Sequence, residues 1–166
     1  MKPTRKIRLH IRETTPNDSK WLEEVLIDAW ASTRVVSRGI IHQADELPGI
    51  VAVIGSERIG LLTFNINNSD FEIVTLNALK KREGVGTALI QEAQRIAQVR
   101  GCTRMWVITT NDNKAAIEFY QSLGFHVIMV HKNAIEQSRR LKPEIPLIGI
   151  NGIPITDEIE LEKLLD

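Results

Sequence analysis

The chain has 166 residues, the size of one domain, and its 43% hydrophobic content is enough for one continuous core. Its 21 Lys and Arg balance 21 Asp and Glu, so no global charge points to nucleic acid or an anionic membrane as a partner. The single cysteine, Cys102, excludes an internal disulfide; with no secretory leader pattern and no apolar run of about 18 residues, the expectation is a cytoplasmic chain without membrane attachment.

In chain order, Ile7 to Arg12 alternates apolar and polar side chains, the pattern of a half-buried strand. Thr14-Thr15-Pro16-Asn17-Asp18 is a turn, and Asp18 or Ser19 is placed to cap a helix. That helix carries Trp21, Leu22, Val25, Leu26 and Ala29 on one face and ends near Trp30. Residues 31–49, with Gly39, Asp45, Glu46 and Pro48, read as a short helix plus a mobile loop of the kind that lines substrate sites. Residues 50–54 and 59–66 read as two strands joined by the tight hairpin Gly55-Ser56-Glu57-Arg58. Asn67-Asn68-Ser69-Asp70 then turns the chain into a third strand through Phe71, Ile73, Val74 and Leu76.

This strand runs into Lys80-Lys81-Arg82-Glu83-Gly84-Val85-Gly86-Thr87, where two glycines one residue apart let the backbone turn tightly and approach a ligand. Leu89, Ala93, Ile96 and Ala97 follow at helical spacing, with Gly101 as the stop. Strand, basic glycine turn and helix in that order suit a phosphate, because the first helical turn offers free N–H groups and the positive dipole end. Alone the signal is weak: G-x-G-x-x-G fails at Leu89, no P-loop pattern occurs, and a solvated basic turn accounts for the run as well. Met105 to Ile108 predicts a strand covered on both faces. Ala116, Phe119, Tyr120 and Leu123 form a helical stripe ending at Gly124, and Phe125 to Val130 is another strand. The order β, α, three strands in meander, α, β, α, β predicts a mixed α/β sheet with parallel pairing only around the central helix.

Two segments now agree. Lys81-x-x-Gly84-x-Gly86 followed by Thr87 resembles the pyrophosphate motif Q/R-x-x-G-x-G/A of the GNAT superfamily of N-acetyltransferases, and Asn113-x-x-Ala116-x-x-Phe119-Tyr120-x-x-x-Gly124-Phe125 resembles that family's later motif. The second fixes six positions and is the more specific. The resemblance, to bacterial members, spans roughly residues 5–130. It implies a mostly antiparallel sheet of six or seven strands with a splayed parallel pair, here 71–78 and 103–108, and flanking helices. The whole of residues 1–166 would form a single N-acetyltransferase domain. Lys81 stands where Gln or Arg is usual, which keeps charge but loses the planar fork of Arg.

The resemblance also implies acetyl-CoA as co-substrate, no metal, and a small-molecule amine as acceptor, in a monomer or homodimer. Pantetheine would lie along Leu76, Asn77, Ala78 and Leu79, and the loop Lys81, Arg82, Glu83, Gly84, Val85, Gly86 and Thr87 would hold the pyrophosphate. The amine would attack the thioester directly, with a strand N–H steadying the oxyanion. Tyr120 would bind the cofactor end and protonate the departing sulfur, or complete the helix stripe as a core residue. Asn113 would bind CoA or simply cap its helix. Glu72 resembles the strand glutamate some members use as base, while strand alternation slightly favours an outward, solvated side chain. The four histidines show no metal spacing, and Cys102 reads as packed.

Beyond the motifs, Asn133 to Leu141 predicts a short helix stopped by Pro143, and Glu158, Glu160 and Glu162 alternate with Ile159 and Leu161 as a last strand of the same domain. Its acidic face would draw a cationic amine if it stood beside the thioester slot, though a solvated edge strand is the commoner use of such alternation. The competing functions are a protein or peptide N-acetyltransferase and a non-catalytic acyl-CoA-binding regulatory module.

Overall fold

The computed structural model describes residues 8–79 and 84–166. A seven-stranded sheet runs in the order β1 (Leu9–Glu13), β4 (Gly49–Ile54), β5 (Glu57–Asn67), β6 (Asp70–Ala78), β7 (Arg104–Thr110), β9 (Glu158–Leu164), β8 (His126–His131). Every neighbouring pair is antiparallel except β6 and β7. One face is covered by α2 (Val85–Val99), whose Leu89, Ile90, Ala93, Ile96 and Ala97 join Ile50, Ala52, Leu62, Phe64, Phe71 and Ile73 in the main core. The helix seats closely on β5: a Cβ on Gly60 would lie 2.8 Å from Val85 Cγ1. Phe119 and Tyr120 of α3 (Lys114–Ser122) extend the same core.

The opposite face is covered by α1 (Ser19–Trp30), through Leu22, Val25 and Leu26 against Leu61. Asp18, fully buried at the helix start, accepts hydrogen bonds from Arg12 Nη1 at 2.8 Å, Arg58 Nε at 2.8 Å and the Thr15 amide at 2.7 Å. The Arg12 guanidinium holds its carboxyl well below the usual range; Asp18 stands at the N-cap position of α1 but its side chain makes no cap bond to the helix and serves as a buried charge hub instead.

Residues 31–49 differ from the helix-plus-loop expectation. They form a two-stranded hairpin, β2 (Arg34–Ser37) with β3 (Ile40–Gln43), and only Ala44–Glu46 makes a 3-10 turn. The β-branched runs Val35-Val36 and Ile40-Ile41 favour extended backbone and outweigh the loop signal of the residues around them. The last strand also differs from the edge expectation, since β9 lies between β7 and β8 and the edge falls to β8. Between these strands, α4 (Ala134–Leu141) buries Ile135.

The feature that creates a site is the end of the parallel ladder. β6 and β7 pair from Asp70 with Arg104 to Ile73 with Val107, and no further. Beyond that point β6 remains tied to β5 and β7 to β9, so the two strands part and one edge of Val74–Ala78 lacks a strand partner.

Candidate active site

The splay opens into a cleft of about 440 Å³. Its walls come from the end of α1, from β2, from β6 and β7 beyond the fork, and from the segment between Lys142 and Glu158.

Glu72 sits in its depth. Strand alternation turns Phe71 and Ile73 into the core under α2 and Glu72 to the other face, where the β2–β3 hairpin covers it. It is only 6% exposed, which corrects the solvated reading. His42 Nε2 stands 3.5 Å from Glu72 Oε2, and Ser37 is buried beside them. Among the described residues, Ser37 Oγ, His42 Nε2 and Glu72 Oε1 are buried without hydrogen-bond partners. Burial pushes the Glu72 carboxyl up to about 7; repulsion from Glu158 and Glu160 adds to this, while the Ser37 hydroxyl and Arg104 oppose it. Burial pushes His42 down, so at neutral pH it is an uncharged imidazole and the contact with Glu72 is no ion pair. A carboxyl poised near neutrality in a cleft can take and return a proton at little cost.

Arg38 donates through Nη1 to Glu158 Oε1 at 2.9 Å and through its amide to Oε2 at 3.2 Å. Arg104 donates to Glu160 at 2.6 Å and to Glu162, and His131 contacts Glu160 at 3.0 Å. The acidic face of β9 is therefore largely neutralised by partners, and Glu158 still forms part of the cleft wall.

The other side of the fork holds the motif residues. Leu76, Asn77 and Ala78 end β6, Leu79 follows, and Trp30 Nε1 donates to Asn77 Oδ1 at 3.3 Å. Gly84 caps α2 with φ near +90°, a conformation that favours glycine. The helix ladder begins with the Ala88 amide donating to Gly84 O at 2.8 Å, so the amides of Val85, Gly86 and Thr87 have no partner within the helix. Among the described residues no side chain caps this end, and the first turn itself carries no acid. A Cβ on Gly86 would stand 3.1 Å from Phe119 Cζ, which ties the two motifs together through packing. Lys81, Arg82 and Glu83, with Lys80, lie outside the described residues.

Asn113 caps α3 by accepting the Ala116 amide at 3.1 Å and also lines the cleft, so both of its readings fit. Tyr120 does not line it. The ring is 5% exposed, edge-on to Phe119 and Phe125 with centroids 5.3 and 5.4 Å away, and burial raises its hydroxyl. Sequence reasoning missed Ser37 and His42, which stand 35 and 30 residues from Glu72 and carry no local pattern. The β-branched run around them was the one available signal.

A model of the acetyltransferase (GNAT) family matches residues 9–125. YdhI, an uncharacterized protein of Bacillus subtilis (strain 168), is 44% identical over 138 residues, or 82% of this chain and 86% of that protein. An IAA acetyltransferase from Bacillus cereus superposes with a TM-score of 0.70 at 19% identity, covering 95% of this chain and all of its own. A GNAT family acetyltransferase from Elizabethkingia anophelis with acetyl-CoA bound gives 0.69 at 21%, covering 96% and 100%. At such identities the structural likeness speaks for the fold.

Proposed function

The chain belongs to the acetyltransferase (GNAT) family and is an N-acetyltransferase, and from that premise we propose that it carries an acetyl group from acetyl-CoA to a primary amine of a small molecule by direct attack on the thioester. The observation that carries this reading is the buried, near-neutral Glu72 set where β6 and β7 part.

The residues present suit acetyl-CoA. Among the described residues the amides of Val85, Gly86 and Thr87 at the start of α2 meet no capping side chain, which suits a pyrophosphate, and Lys81, Arg82, Glu83 and Gly84 precede them in the sequence as the rest of the motif. The unpaired edge of β6 from Val74 through Leu76, Asn77 and Ala78 to Leu79 offers backbone groups to the pantetheine amides, as an added strand would.

In the reaction, Glu72 accepts the proton from the arriving ammonium, leaving a neutral amine to attack the thioester carbonyl; the second N–H proton, lost after attack, balances the one that the departing sulfur takes up as free thiol. A β6 amide beyond the fork donates to the developing oxyanion. Tyr120 donates a proton to the leaving thiolate, and Asn113 holds the start of α3 against the cleft; both assignments rest on motif position.

A small acceptor is favoured over a protein by the tail. Lys142 Nζ donates to Trp30 O at 2.7 Å, fastening the segment after α4 across to the end of α1 beside the cleft. On this reading residues 1–166 act as one domain, because Glu158, far outside the motif region, forms a wall of the site.

The test is free-thiol release from acetyl-CoA against polyamines, amino acids, aminoglycosides and short peptides, with CoA binding measured by calorimetry on the same sample. Release with a small amine is expected. Release only with peptides would move the acceptor to proteins, and CoA binding with no release would make the chain a binding module.

A further inference from the structure

The charged groups around the cleft divide into those already matched and those still open. Glu158 is matched by Arg38. Asp112, also buried in the wall, accepts from Thr110 Oγ1 and from the Ile150 amide at 3.0 Å. Glu144 stands on the rim 3.9 Å from Arg34. Lys142, the only Lys or Arg lining the cleft among the described residues, is committed to Trp30 O, and burial lowers its affinity for a proton. Two carboxyl groups remain without a cation. Glu72 lies in the depth, nine-tenths buried, with Oε1 unpartnered beside Ser37 Oγ. Asp28 lies in the last turn of α1, exposed and lining the cleft, with no hydrogen bond or ion pair among the described residues.

The position of Asp28 is costly in isolation. A helix C-terminus already carries the negative dipole end, the last turn of α1 has no basic residue of its own, and the Lys142 amine that meets this end is bonded to the Trp30 carbonyl rather than to Asp28. Trp30, beside it, adds an indole ring 38% exposed whose face suits a cation. The same cleft is lined by the apolar side chains of Val35, Val36, Ile73, Ile108 and Ile155. A buried acid, an exposed acid and apolar lining in one cleft suit an alkyl chain with an amine at each end.

Building on the acetyl-transfer reading, we propose that the acceptor is a linear aliphatic diamine or polyamine, its reacting amine at Glu72 and its distal ammonium held by Asp28 and the Trp30 ring. Glu72 takes the ammonium proton, the N–C bond forms and the C–S bond of the thioester then breaks, the second N–H proton balancing the one taken up by the departing thiol, and the distal ammonium stays charged throughout. An acceptor with a carboxylate in place of that ammonium is repelled.

Three four-carbon probes separate the possibilities: 1,4-diaminobutane, butylamine and 4-aminobutanoate. Each is measured by thiol release from acetyl-CoA and by calorimetric binding to CoA-saturated protein. The expected kcat/KM for the diamine exceeds that for butylamine by about 10-fold, with 4-aminobutanoate last, a margin suited to one partly exposed ion pair plus a cation–π contact. Asp28→Asn should bring the diamine-to-monoamine ratio close to one, and Asp28→Glu should restore part of it. Equal rates for diamine and butylamine, or a ratio unmoved by Asp28→Asn, would overturn the proposal while leaving acetyl transfer in place. No release from any probe, with diamine binding still preferred and still dependent on Asp28, would sink acetyl transfer to amines and uphold the charge reading. No release and no preference would end both.

Discussion

On the proposed reading, the CoA side and the acceptor side of the fork are made from different materials. The side offered to CoA is mostly backbone: the unpaired edge of β6, the amides at the start of α2, and glycines that keep side chains out of the way. The side offered to the acceptor is made of side chains from distant segments: Asp28 and Trp30 of α1, Ser37 of β2, Glu72 of β6 and Glu158 of β9. Backbone geometry is indifferent to most substitutions, so one design can serve many acceptors. Side chains set the acceptor, and they are free to differ from one relative to the next.

The sharpest way to break this division is Glu72→Gln. It should lower kcat/KM by about 10²–10³ at pH 8 and leave acetyl-CoA affinity within about 2-fold, since no CoA-side group is touched. In the unsubstituted protein the rate should climb as pH rises through about 7, where Glu72 loses its proton, and the variant should lack that limb. A parallel loss of CoA affinity would show that the two sides are not separable. Tyr120→Phe asks the same question from the other motif. As the acid it should cost at least about 10-fold in kcat with affinity kept; no change in either would leave Tyr120 a core residue between Phe119 and Phe125.

Stability gives smaller effects. The carboxyl of Glu72 is raised from 4.5 to about 7 on folding, so the folded state binds the extra proton and stability falls as pH rises from about 4.5 through 7. At about 1.4 kcal/mol per unit, Glu72→Gln should be up to about 3 kcal/mol more stable than the unsubstituted protein at pH 8 and gain nothing at pH 4, read by urea unfolding. On the CoA side, Gly60→Ala forces Val85 away and should cost about 1–3 kcal/mol, with weaker CoA binding and little change in kcat at saturation. Asn113→Ala removes one cap bond and should cost about 1 kcal/mol in thermal or urea unfolding.

The same division explains what the sequence disclosed. Gly84, Gly86, Asn113 and Tyr120 belong to short runs whose spacing reflects one turn or one helix, and the alternation and periodicity around them placed the flanking strands and helices. Ser37 and His42 reach Glu72 only because a hairpin folds over β6, and that hairpin was hidden by Gly39, Asp45 and Pro48 in the same stretch. Glu158 was legible as part of an acidic strand face, but its place in the wall depends on β9 entering between β7 and β8, a long-range pairing with no local signature. Asp18 was legible by its place at the start of α1, but its side chain turns to two arginines, at positions 12 and 58, rather than capping the helix, and those partners were not legible.

The insertion of β9 also orders events on the ribosome. β7 and β8 are synthesised first, yet they are not neighbours in the sheet; each waits for the strand that comes out after both. Until then β8 presents Val127, Ile128, Met129 and Val130 with no ladder on either side, and the β7 edge stays open. A nascent chain held just short of residue 158 should therefore be a ready chaperone client, and its release should close the sheet and the last wall of the cleft in a single step.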